Sequence, residues 1–175
     1  MALTVAASPT CEQINIVADY YSASTSAILT FGVVNASGSS VLNITSPNFT
    51  VTATSGPITY PLLVSDLSMS NGIFTIVSYI DGAEQDRKSV LLACDIDCCL
   101  AKLTNELIDC ACDCAKCASS LAKAQKIMLL LKSSEYSLKQ GNTVGTTLQT
   151  GYIQDANNKY TKAREVCDNS CGCDC

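Results

Sequence analysis

Ser89-Val90-Leu91-Leu92-Ala93-Cys94-Asp95-Ile96-Asp97-Cys98-Cys99-Leu100-Ala101-Lys102-Leu103 is the stretch in which the chain changes its hydrophobic period. Up to Ala93 it reads as the end of a strand, Lys88 to Ala93. From Asp95 onward Ile96, Cys99, Leu100, Leu103, Leu107 and Cys110 recur at intervals of three and four, the spacing that lines one face of a helix. A boundary near residue 94 therefore divides the 175 residues into modules of 1–93 and 94–175. Each is close to the size at which a core alone becomes marginal.

Working back from that boundary, residues 12 to 93 show short apolar or alternating runs separated by turn residues. The expected strands are Gln13 to Tyr20, Ala27 to Val34, Val41 to Ile44, Phe49 to Ala53, Ile58 to Val64, Ile73 to Ile80 and Lys88 to Ala93. The breaks contain Gly38, Pro47-Asn48, Gly56-Pro57, Asn71-Gly72 and Asp81-Gly82. Gly and Asn accept positive φ there, and Pro fixes its own φ. Such spacing predicts an antiparallel, immunoglobulin-like β-sandwich. The last two strands read as a hairpin through Asp81-Gly82 and a polar loop.

Working forward, Cys117, Leu121, Ala124, Met128 and Leu131 predict a second helix. Val144, Leu148, Tyr152, Ala156, Tyr160, Ala163 and Cys167 predict a third beyond Gly141-Asn142. The expected fold class is thus α+β in two modules, an N-terminal sandwich and a C-terminal Cys-rich three-helix bundle. Tyr136, Gly141, Ala156, Tyr160 and Ala163 resemble one tetratricopeptide hairpin, but the copy is unrepeated and reads as small residues at helix crossings.

Eleven of the twelve cysteines lie between residues 94 and 175, and the chain has no histidine. Two dense groups stand out: Cys110, Cys112, Cys114 and Cys117, and then Cys167, Cys171, Cys173 and Cys175. In an up-down-up bundle both groups fall at the same end. Disulfides between them would staple the tail to the turn between helices one and two. Zinc is the alternative cofactor, with Cys114-x-x-Cys117 spaced as one ligand pair, although the other spacings and the lack of histidine favour disulfides. A second set, Cys11, Cys94, Cys98 and Cys99, marks the first strand and the module junction. A bridge from Cys11 to one of the other three would lock the modules together, and Cys99 also reads as a small apolar core residue.

The formal charge of −5 and the absence of any basic run argue against nucleic-acid binding. The apolar run Ile127 to Leu131 is too short for a membrane span, and Met1 to Ala7 lacks the features of a Sec export signal. No enzyme is expected: without histidine the remaining nucleophiles and carboxylates form no recognisable catalytic pattern, and Asp95, Asp97 and Glu106 read as helix-surface acids. The sequons at Asn35, Asn43 and Asn48 read as products of a Ser/Thr/Asn-rich surface. Tyr20, Tyr21, Tyr60 and Tyr79 would line a binding face or pack at the sandwich rim.

The Ser89 to Leu103 stretch, followed by the Cys-rich turn and the terminal Cys171-Gly172-Cys173-Asp174-Cys175, resembles a pattern of tailed-bacteriophage virion proteins in which a β-sandwich feeds a Cys-rich helical hairpin. The resemblance covers mainly residues 72 to 175. It implies a structural protein of the virion, made in the host cytoplasm and extracellular after release. The role implied is a head decoration or head-fibre protein, or a neck or tail adaptor, in homo-oligomeric contact and in contact with other virion proteins. A secreted or surface-displayed filament or adhesion subunit is the competing class, and an intracellular zinc-binding adaptor the third.

Overall fold

The computed structural model describes residues 2–19, 26–52, 55–109 and 114–171 and divides into two compact units, Met1–Leu92 and Ala93–Cys175. The first is an antiparallel β-sandwich with, among the described residues, seven strands: β1 (Ala2–Ala7), β2 (Gln13–Asp19), β3 (Ala27–Asn35), β4 (Phe49–Val51), β5 (Ile58–Leu63), β6 (Gly72–Ile80) and β7 (Ala83–Leu92). One sheet has the order β1-β2-β5 and the other β4-β3-β6-β7. This is an immunoglobulin-like Greek key in which the short fourth strand joins the sheet of the third.

Alternation explains why these segments are strands. Ile14, Ile16 and Ala18 of β2 point inward and are fully buried, and Leu29, Phe31 and Val33 of β3 meet them from the other sheet. β6 is buried continuously from Gly72 to Ser78, as befits the strand flanked by β3 and β7. Its two polar residues are satisfied locally: the Thr75 and Ser89 hydroxyls bond each other across the strands at 2.8 Å, and Ser78 Oγ donates to the Asp86 carbonyl at 3.0 Å. Phe31 stacks on Tyr60 with 6.0 Å between ring centroids, and Phe49 packs against both, so Tyr60 is held half-buried by the two phenylalanines. Burial, followed by the nearby Asp66 carboxylate, raises the pKa of the Tyr60 phenol.

Three local readings differ from expectation. Ala2–Ala7 is a strand, paired residue by residue with Asp19 back to Ile14, although its alternation is too weak in Ala and Thr to announce itself. Val41 to Ile44 is no strand but an irregular segment held by isolated bridges, Val34 with Ser40 and Leu42 with Leu67. The loop leading to it is shaped by Asn35, whose side-chain oxygen accepts from the Ser37 and Ser39 amides, an Asx turn. Finally, β7 begins at Ala83, so the polar stretch Glu84 to Arg87 is strand and not loop. Arg87 there forms a bidentate pair with Glu84, whose carboxyl is held below its usual range by that hydrogen bond.

The β6–β7 hairpin closes in two residues because Asp81 and Gly82 both take positive φ, 49° and 79°, the type I′ geometry that matches strand twist. Asp81 Oδ1 also accepts from the Ile28 amide at 2.8 Å, prolonging the β3–β6 ladder. Gly82→Ala is expected to lower stability by about 1 kcal/mol, the cost of a Cβ in left-handed backbone. Urea denaturation of the purified chain measures it.

The second unit consists of α1 (Cys94–Asp109), α2 (Cys114–Gly141) and α3 (Thr146–Cys171). Asp95 and Asp97 in the first turn of α1 complement the helix dipole. Ile96, Cys99 and Leu103 form its buried face. No helix of the described residues is long and apolar enough to cross a membrane.

Candidate functional site

Along α2 and α3 the buried positions alternate at three and four residues over the whole length. On α2 they are Ser120, Ala124, Ile127, Ser134, Ser137 and Leu138, continued by Gly141, with Cys117 half-buried before them and Leu131 half-buried among them; on α3 they are Gln149, Ile153, Ala156, Tyr160, Ala163 and Cys167. That is the seam of a coiled coil built mostly from small residues. The two backbones approach closely: Ser134 Oγ donates to the Ala156 carbonyl across the seam at 2.9 Å. A Cβ added at Gly141 would lie 2.9 Å from Cβ of Tyr152, so only glycine fits there.

This seam differs from the expected one in phase. Leu121, Met128, Leu148 and Tyr152, taken from the sequence as core positions, are exposed, Leu148 by 65%. Ser134, Ser137, Gln149 and Ile153 replace them. The Ala156-Tyr160-Ala163-Cys167 portion is buried as expected, and small residues do mark the helix crossing. The three-four repeat mixes small residues, Ser120, Ala124, Ser134, Gly141, Ala156 and Ala163, with larger ones, so reading only large apolar residues hides it.

Polar clasps fix the register of all three helices. Tyr160 donates its hydroxyl to the Asp95 carboxylate at 3.0 Å, and Arg164 Nε lies 3.5 Å from the same group, joining α3 to the start of α1. Burial, followed by the Asp95 charge, pushes the Tyr160 pKa well up, so it remains a neutral donor. Ser120 Oγ donates to Glu106 at 2.8 Å and joins α2 to α1.

The third clasp, Ser137, Asp155 and Lys159, merits chemical scrutiny because it sets a serine beside a lysine. Lys159 Nζ donates to Ser137 Oγ at 2.9 Å and to Asp155 Oδ2, while Ser137 Oγ donates to Asp155 Oδ2 at 2.6 Å. Serine–lysine nucleophiles need a lone pair on the amine to receive the hydroxyl proton. Here Lys159 donates to both neighbours, and Ser137 is 3% exposed. The hydrogen bonds from Lys159, then from Ser137, hold Asp155 below the usual carboxylate range. The three side chains tie α2 to α3.

The cysteines divide into three sets. Cys11, Cys94, Cys98 and Cys117 are disulfide-bonded. Cys99 and Cys167 are buried thiols, the first on the core face of α1 and the second in the α2–α3 seam. Cys110, Cys112, Cys173 and Cys175 lie outside the described residues, as do the side chains of Cys114 and Cys171. The antiparallel hairpin does carry the start of α2 and the end of α3 to the same end. Among the described residues no group of three or more Cys, Asp or Glu is placed to hold a metal ion. Of the tyrosines singled out in the sequence, Tyr79 packs over Gly32, and Tyr20 and Tyr21 lie outside the described residues.

No protein-family model matches the chain, and no curated protein matches it.

Two measurements test this site. Ser134→Leu is expected to destabilise the protein by about 1–3 kcal/mol through overpacking, against about 1 kcal/mol for Ser134→Ala, which removes only the hydrogen bond. Thermal melts of both variants give the comparison. In unreduced, fully denatured protein, iodoacetamide should modify Cys99 and Cys167 and spare Cys11, Cys94, Cys98 and Cys117 until reductant is added, as read by peptide mass mapping.

Proposed function

We propose that this chain is a non-enzymatic structural protein of a tailed-bacteriophage virion, serving as a head decoration or head-fibre component or as a neck or tail adaptor. The observation that carries the reading is the outer face of α2, where Leu121, Met128, Leu129 and Tyr136 stand exposed, Leu129 by 69% and Tyr136 by 63%. Large apolar side chains aligned on one helix face mark a surface meant for a neighbour. Disulfides in a small two-unit chain suit a protein that works outside the cell, where thiols stay oxidised. The resemblance of residues 72 to 175 to virion proteins supplies the particular assembly.

Contact between copies through a sandwich edge is the less favoured arrangement. Edge strand β5 carries Pro61, which has no amide to donate, and edge strand β4 is three residues long. The β1 and β7 edges lie side by side, with the Leu3 amide donating to Asp86 at 3.1 Å. Self-association and contacts with other virion proteins are assigned instead to the helical unit.

Particles released by lysis of cells carrying this gene provide the test. Gradient-purified particles should contain the chain in stoichiometric amount, and antibody labelling seen by electron microscopy should fall on head or tail. Protein recovered only from pili or other surface filaments would replace this reading with the filament-subunit alternative.

A further inference from the structure

One surface of the helical unit opposes the charge of the chain as a whole. Between α2 and α3 runs an open groove of 640 Å³ whose lining includes Lys123, Lys126, Leu130, Lys162, Glu165 and Val166. Three lysines from two facing helices meet there with one carboxylate, in a chain of net charge −5. None of the three belongs to any ion pair of the described residues. By contrast Arg87, Lys88, Lys159 and Arg164 each have an acidic partner. Three lysines against one lining carboxylate leave the groove with a net positive charge, which an acidic ligand offsets.

The chemistry of the lining selects the kind of ligand. Half-buried Leu130 and Val166 give the groove an apolar floor beneath a lysine rim. A separate depression of 320 Å³ on α2, formed by Gln125, Met128, Leu129 and Lys132, also combines apolar and basic groups. A phosphate site would be expected to use a helix N-terminus, a glycine loop or arginine forks. The groove uses lysines in the middle of α2 and on the C-terminal half of α3, with no arginine in its lining. A groove between two long antiparallel helices is linear and suits a helix laid along it. We propose that this groove docks an acidic amphipathic helix of a partner protein, with carboxylates on the three lysines and apolar residues on Leu130 and Val166. The inference stands on the groove itself and holds whichever assembly the protein serves.

Fluorescence anisotropy at physiological salt with a labelled amphipathic Glu/Leu peptide tests it on the full-length, unreduced protein. Saturable binding is expected, weakened at least about tenfold by the triple charge reversal Lys123→Glu/Lys126→Glu/Lys162→Glu and left unchanged by Lys139→Glu on the same helix. The triple Lys→Gln variant, which adds no negative charge, should weaken binding in the same direction if reversal perturbs folding. Binding should also fall when the leucines of the peptide are replaced by serine. No saturable binding, equal loss in Lys139→Glu, indifference to the leucines, or tighter binding of duplex DNA would each overturn the assignment.

Discussion

The helical unit depends on a single constraint, the distance between α2 and α3. A serine hydroxyl can reach a backbone carbonyl on the facing helix, as Ser134 does to Ala156, only when nothing larger intervenes. Ser120, Ala124, Ser134 and Gly141 on one side and Ala156 and Ala163 on the other keep that space small. Close backbones offset the modest apolar area such residues bury, because dispersion contacts are made along the whole interface and each inward hydroxyl is satisfied. The clasps of Tyr160 on Asp95 and of Lys159 on Ser137 and Asp155 then set the rotation and register that the seam requires.

The same geometry governs what is left outside. With small residues among those turned inward, Leu121, Met128, Leu129 and Tyr136 of α2 face outward, and the lysines on its flank meet Lys162 of α3 across a groove. The seam and the surface are two aspects of one sequence pattern. Exposed polar residues such as Gln125, Lys126, Lys132 and Glu135 share the surface of α2 with that apolar face.

The sandwich was legible in the sequence wherever alternation met turn chemistry. Ile14-x-Ile16-x-Ala18, the Phe49 to Val51 segment and the Asp81-Gly82 turn all act locally, so the chain reveals them. Ala2–Ala7 was not legible because its strand character comes from pairing with β2, and Val41 to Ile44 misled because an apolar run can bridge without laddering. In the helices, element type and end-to-end arrangement could be read, but the buried face could not, since Leu121, Met128 and Leu148 carry hydrophobicity without burial. Ser137, Asp155 and Lys159 had no signal of their own in the sequence. Their roles exist only once two helices are set side by side.

The pairing of β2 with β5 joins Gln13 to Leu63 and Ala18 to Ile58, residues far apart in the chain. Closing so long a segment before any reward is slow, whereas α2 and α3 need only the short turn from Asn142 to Gly145 to meet. Ribosomes therefore deliver the slow-folding unit before the fast-folding one. Cys11 is synthesised before the strands on either side of it can be fixed, and the cysteines of α1 and α2 emerge after it. Correct oxidation of this chain is thus a matter of timing: thiols that remain reduced until translation ends can be paired by the finished fold instead of by the order in which they were made.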